Sequence, residues 1–407
     1  MSKRGSRTRA AALSLVAVAA LVLSACGPDE DETPDAAAPS SAGSTTADPH
    51  AGQTSHSDDH AGVEPVKPKP LRPGETRMKL TMPTEYTPSA PTGVGTDDYR
   101  CFLLDPQLDK DTYLTGTHVL PGNPDVVHHV ILFRVPPDQV AEAKKVDAEE
   151  EGEGWTCFGG TGLDDFQQID DAPWLGAWAP GGKESVMQPG FGVELAKGTQ
   201  IVMQVHYNLL AGDEPDRSSA LLRLGPPGQQ LTPVDTMLLP APVELPCRPG
   251  HDQSELCDRD AAVADVKERF GIGPGSTADM LHLLCGTEVE PGNVQSCTRT
   301  VYQPTTIRGV AGHMHLLGRS IRIEVNPGTD RAQTVLDIPV WDFDNQGAQP
   351  IKPVHLDPMD TVKVTCKHVQ WLRDELPSFQ GQEERYVVWG EGTTDEMCLG
   401  ILQVTHP

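Results

Sequence analysis

Six short segments of alternating apolar and polar residues constrain this chain more than any other feature of it. They cover residues 78–82, 126–135, 199–207, 320–325, 361–366 and 397–404. A period of two puts the apolar side chains on one face of an extended strand and the polar ones on the other. Turn-forming Pro, Gly, Asn and Asp separate the segments, and 37 Pro and 39 Gly in 407 residues leave little room for long helices. The fold class expected is all-β, a β-sandwich pattern repeated, with one short helix at residues 261–270. The acidic stretch 147–153 reads as a solvated loop. The Pro/Gly-rich break at residues 224–232 reads as the domain boundary.

Charge narrows the function. Lys plus Arg total 32 against 58 Asp plus Glu, a formal charge of −26 that repels a phosphate backbone and excludes nucleic acid as a partner. Lys3, Arg4, Arg7 and Arg9 precede a short apolar run, residues 10–23, that ends in Leu23-Ser24-Ala25-Cys26. This looks like a bacterial lipobox. Residues 1–25 are therefore expected to be a lipoprotein signal peptide and Cys26 the lipidated mature N-terminus. The chain would then sit on the extracytoplasmic face of the cell membrane, touching it through the lipid anchor only. Residues 26–77, rich in Pro, Ala, Ser, Thr, Asp and Glu, read as a disordered acidic linker. Its His50, His56 and His60 fit a solvated linker better than a metal-collecting tract, since a floppy segment orders no coordination geometry. Cys26 aside, an even number of cysteines remains in an exported chain, which points to disulfides.

The informative histidines fall in strand-like contexts. His128 and His129 lie in DVVHHVILFRV, His206 in IVMQVHYNLL, and His313 and His315 in a His-Met-His run. Residues i and i+2 of a strand point the same way, so His313 and His315 can reach one ion. Adjacent His128 and His129 point to opposite faces unless the strand is twisted or bulged. Gln204 shares the face of His206 and is placed to hydrogen-bond and orient its imidazole. An all-imidazole set with a thioether suits copper better than zinc.

The motifs HHVILF, QVHYN, GHMHLLGR and EMC, in that order, resemble the copper type II, ascorbate-dependent monooxygenases, the family of dopamine β-monooxygenase and peptidylglycine α-hydroxylating monooxygenase. The resemblance runs from about Tyr99 to the C-terminus, supported by LGAWAPGG at 175–182 and by TVKVTC. It implies two jelly-roll-like β-sandwich domains, residues 78–228 and 229–407, each holding one copper and facing the other across a gap. His128, His129 and His206 would hold the electron-transfer copper. His313, His315 and Met397 would hold the catalytic, oxygen-binding copper, with ascorbate as reductant. The resemblance also implies the disulfides Cys101–Cys157 and Cys366–Cys398, the second pinning the strand that carries Met397. Cys247, Cys257, Cys285 and Cys297 allow three connectivities, among them the pairing of neighbours as Cys247–Cys257 and Cys285–Cys297.

The departures shape the substrate. Where the peptide-hydroxylating branch grips a carboxylate, this chain has Ala311, Leu399 and Ile401. A peptide C-terminus is therefore not supported, and a small apolar or amphipathic molecule fits better. The expected activity is hydroxylation of a C–H bond in a small organic substrate, using dioxygen and ascorbate or another one-electron donor. The competing expectation is a surface lipoprotein that binds copper without turnover, for storage, delivery or sensing. No GxSxG signature supports nucleophilic catalysis.

Overall fold

The computed structural model describes residues 67–89, 97–163 and 171–407. The expected signal peptide, Cys26 and the linker histidines His50, His56 and His60 lie outside the described residues. Among the described residues, no helix is long and apolar enough to cross a membrane.

The structure is an all-β pair of sandwiches. In the first, Gln200–Asn208 is the central strand of a five-stranded antiparallel sheet, between Asp97–Leu104 and Val127–Val135, with Trp155–Thr156 and Trp174–Trp178 at the edges. Alternation decides its two faces. Ile201, Met203, Val205 and Tyr207 join Phe102 and Leu132 in a core shared with Leu114 and Leu222 of the facing sheet. Val202, Gln204 and His206 point the other way. That second face is covered too, by Trp155 and by Ala143 of the helix Val140–Glu149, so the central strand is buried along its whole length.

The second sandwich pairs the sheet of Gln349–Leu356, Thr305–Met314, Cys398–Thr405, Asp235–Pro240 and Asp171–Ala172 with a sheet of Val294–Thr300, Thr361–His368, Gly318–Val325 and Gln333–Ile338. Gly312 and Gly400 stand opposite each other in adjacent strands. A Cβ at Gly312 would lie 2.8 Å from Ile321 Cγ2, and one at Gly400 2.9 Å from Ile323 Cδ1, both in the facing sheet. The bare glycines let the sheets close there, and alternation then sends Ala311, His313, Leu399 and Ile401 to the opposite face.

Two boundaries differ from the compositional reading. Glu75 is buried against Arg223, Nε to Oε2 at 2.7 Å, and Thr76–Thr81 is an edge strand paired with Ser219–Leu224. The first sandwich thus takes in residues before 78, because a buried ion pair anchors a segment whose composition reads as linker. Thr232–Pro233 still pairs with Phe191–Gly192 of the first sandwich, and Asp235 already pairs with Val404 of the second. The Pro226–Gln229 turn lies within the first sandwich, and the crossing falls at Val234.

The expected helix is Arg259–Phe270, started by the Asp258 side chain accepting from the Ala261 N–H at 3.0 Å. The helix Val140–Glu149 is a correction. It takes in the first part of the acidic stretch read as a loop, and it forms because Val140, Ala143 and Val146 pack on the outer face of the first sheet. Among the described residues four disulfides are present: Cys101–Cys157, Cys247–Cys257, Cys285–Cys297 and Cys366–Cys398. Of the three connectivities open to the middle four cysteines, the chain adopts the pairing of neighbours. Cys366–Cys398 ties the two sheets of the second sandwich together and closes a separation of 32 residues, a constraint on the unfolded chain of about 3–4 kcal/mol.

Candidate metal centre

A β-bulge builds the first histidine set. His206 stands opposite His129, but the next pair is Tyr207 with Val127, so His128 is an extra residue on its strand. A regular strand would aim His128 and His129 to opposite faces; the bulge turns both toward His206. Their Nδ1 atoms form a near-equilateral triangle: His128 to His129 3.3 Å, His128 to His206 3.3 Å, and His206 to His129 3.1 Å. A neutral imidazole offers either an N–H or a lone pair at Nδ1, so in any triangle at least one edge sets like against like. A cation at the centre removes that conflict. A point equidistant from the three atoms lies about 1.9 Å from each, close to the usual metal–imidazole bond of about 2.0–2.1 Å. Burial, and after it the neighbouring imidazoles, hold the His129 pKa well below the ordinary histidine value, which keeps this ring a neutral donor.

Asp97 orients the set. Its Oδ1 lies 2.8 Å from His206 Nε2, so His206 donates there and presents its Nδ1 lone pair to the triangle. The carboxylate also accepts the Thr393 backbone N–H at 3.0 Å and the Thr393 hydroxyl. Burial alone would raise the Asp97 pKa, but the bonds from His206 and Thr393 outweigh it and hold the carboxyl below its ordinary value. Tyr99 stacks flat on His206, ring centroids 4.1 Å apart and planes 7° apart. The expectation for Gln204 is corrected: its amide donates to the Gly160 carbonyl at 2.7 Å, with Cys157 Sγ at 3.7 Å, and Asp97 takes the orienting role.

The second set leaves the end of the strand Thr305–Met314. The rings of His313 and His315 are 5.1 Å apart and nearly perpendicular at 86°. His313 Nδ1 lies 2.6 Å from Gln346 Oε1, which leaves Nε2 as its free donor atom. His315 is 1% exposed, and neither of its ring nitrogens has a hydrogen-bond partner. Orphaned buried polar atoms cost roughly 1–3 kcal/mol each, which marks this ring as built for a ligand. Burial, followed by the His315 imidazole, pushes the His313 pKa down to about 3. His313 pairs with Leu399 and Met314 with Cys398, where the ladder ends, so Met397 directly precedes the strand Cys398–Thr405 at the end that carries His313. Met397 is buried, and the next residue, Cys398, is fixed by its disulfide.

The two sets meet; no gap separates them. His129 and His313 are 5.9 Å apart, and Phe343 stacks on His128 at 4.4 Å while lying 6.4 Å from His315. Tyr99 OH donates to the Glu391 carbonyl at 2.7 Å, and with Asp97–Thr393 it holds the sandwiches together beside the site. A cavity of about 10 Å³ touches His128; a larger one of about 260 Å³ is lined by Arg248, Arg373 and Glu384, outside the centre. Among the described residues, three His, Cys, Asp or Glu donors converge only at His128, His129 and His206. Asp97, Thr393, Phe343 and Gln346 carry no local sequence signal.

No protein-family model matches the chain, and no curated protein matches it. Among solved structures, an allantoicase is 12% identical, covering 72% of this chain and 78% of its own, with a TM-score of 0.17. The coconut allergen cocosin is 10% identical over 81% and 85%, with a TM-score of 0.14. The oxalate decarboxylase of Lactobacillus farciminis is 8% identical over 79% and 86%, with a TM-score of 0.15. Likenesses this shallow bear on neither fold nor function.

Proposed function

We propose that this chain is a copper-dependent monooxygenase that hydroxylates a C–H bond of a small organic substrate with dioxygen and a one-electron donor such as ascorbate. The observation that carries the reading is the triangle of Nδ1 atoms from His128, His129 and His206 in ring contact with His313. Bound copper would supply the one-electron chemistry that dioxygen activation needs. The residues supply the rest. The first three imidazoles would hold one ion through Nδ1, while His313, His315 and the Met397 thioether would hold the other. A soft sulfur favours the reduced ion. Asp97 keeps His206 in the donating tautomer, and Phe343 packs between His128 and His315. Ala311, Leu399 and Ile401, on the face of His313, support an apolar or amphipathic substrate. The same reading tethers the chain to the extracytoplasmic membrane face through Cys26; labelled fatty acid should enter the parent and not Cys26→Ala.

A second reading is copper storage or delivery without turnover, which the same three-imidazole set would serve. Oxygen uptake by the copper-loaded chain with ascorbate separates the two. The parent should bind two copper ions and consume oxygen, and Met397→Ile and His206→Ala should each lose most of that uptake. Equal uptake by parent and variants would leave copper binding alone.

A further inference from the structure

We infer that Asp97 is a positioning residue that couples metal binding on His128, His129 and His206 to the seating of residues 391–397, the segment that carries Met397. The inference rests on the metal reading of the three-imidazole set and goes beyond it by linking the two sets energetically.

The strand Asp97–Leu104 supplies the joint. Asp97 and Tyr99, two residues apart, share a face, and the register sets Tyr99 opposite His206 and Asp97 opposite Asn208. Both side chains touch the imidazole or hydrogen-bond to it, and both reach the same remote segment. Tyr99 stacks on His206 and donates to the Glu391 carbonyl at 2.7 Å; Asp97 accepts from His206 at 2.8 Å and from the Thr393 N–H at 3.0 Å. The Thr393 hydroxyl donates to Oδ1, the oxygen that also takes the His206 N–H. Asp97 is 3% and Thr393 2% exposed, so water does not stand in for a lost bond.

Two consequences follow. Thr393 fixes the rotamer of the carboxylate and thereby the orientation of the His206 ring, so seating the segment prepares the ligand. An ion on His206 Nδ1 makes its Nε2–H a stronger donor, which draws the carboxylate into the one geometry that also serves Thr393. Coupling of this kind is reciprocal: whatever the seated segment adds to metal affinity, the metal adds to seating. The segment has other anchors, since Asp395 is held by Arg269 at 2.8 Å and by Arg385 at 2.8 Å, and Cys398 by its disulfide. Removing the Asp97 link therefore loosens the segment without freeing it.

The test uses the full chain with buffered copper(I) as the probe. Amide hydrogen exchange of residues 391–397 is compared with and without copper in the parent, Thr393→Val, Thr393→Ser and Asp97→Asn. In the parent, copper should slow exchange there by about 5-fold or more. Thr393→Val, which keeps the carboxylate and the backbone N–H bond to Asp97, should lose a measurable part of that slowing and bind the first copper more weakly by the corresponding factor; Thr393→Ser should restore both. Asp97→Asn should weaken the first copper by about 10–100-fold. Copper bound by the parent with unchanged exchange at 391–397, or equal affinity in all four proteins, overturns the coupling and leaves the metal site intact. A parent that binds no copper at the three imidazoles overturns both.

Discussion

Glu396 accepts a hydrogen bond from the backbone N–H of His315 at 3.1 Å. The same carboxylate accepts from Leu317 N–H at 2.5 Å and Met397 N–H at 3.2 Å, with His368 Nε2 at 3.3 Å. All of this is buried, with Glu396 and His368 both at 0% exposure. One side chain therefore shapes the turn after the His-Met-His run and ties it to Met397, just before the strand Cys398–Thr405. Glu396→Ala should strand these N–H groups and lower stability by about 3 kcal/mol or more, with Glu396→Gln intermediate. Thermal unfolding checks the first effect. Copper titration checks the second: the ion on His313, His315 and Met397 should weaken by about 10–100-fold while the three-imidazole set is unaffected. An unchanged melting temperature would remove Glu396 from this role.

Phe343 is the wedge between the sets. It is 1% exposed and lies flat on His128, while Gln346, three residues on, holds His313. Phe343→Ala should cost about 3–5 kcal/mol, the usual range for a buried aromatic. It should also open the cluster, so that a copper(I) chelator strips metal faster from the variant than from the parent. Stripping rates that match, measured by the absorbance of the chelate, would mean that access does not run past this ring.

Much of the fold could be read from period two, because a strand with one buried face must alternate. Residues 199–207 read as a strand, and Gln200–Asn208 is one, with Gln204 and His206 on one face. The pairing of His128 with His129 was legible only as a condition, that the strand be bulged; the bulge depends on a partner strand more than 70 residues away and has no local trace. The second layer of the site was not legible. Asp97 is one of 58 acidic residues, and the Thr393 it meets is 296 positions away. Gln204 had the right face but the wrong partner, because the Gly160 carbonyl, brought near by Cys101–Cys157, competes for its amide. The helix Val140–Glu149 leaves little sequence signal because it buries a narrow stripe with only Ala143 fully inside.

The glycine pair beneath the second set is testable in isolation. A side chain at Gly312 meets the branched carbon of Ile321 at 2.8 Å, which cannot swing away as a chain tip could. Gly312→Val should cost about 2–3 kcal/mol through overpacking and push the sheet, and with it His313, out of position. The expected result is a lower melting temperature together with a weaker second copper and an undisturbed first one. A variant that melts with the parent would show that the sheets have slack at this point.

The Glu75 carboxylate, at the foot of the first sandwich, should be one source of acid lability. Burial by itself raises the Glu75 pKa, but the Arg223 guanidinium, the Arg72 N–H and the Thr115 hydroxyl outweigh it and hold the carboxyl below its ordinary value. A folded pKa below the unfolded one means that the ionised carboxylate stabilises the fold. The contribution is complete above the unfolded value of about 4.3 and is lost as the pH falls through the folded one. Glu75→Gln cannot titrate and leaves Arg223, 2% exposed, with the Glu184 carboxylate at 3.7 Å as its remaining charged partner. It should therefore be less stable than the parent at pH 7 by about 1–3 kcal/mol, and the difference should shrink as the pH drops below about 4. Chemical denaturation of both proteins from pH 7 to pH 3 measures this directly. A gap of constant size across that range would mean that the Glu75 carboxylate adds nothing through its charge and that the strand Thr76–Thr81 is held by packing alone.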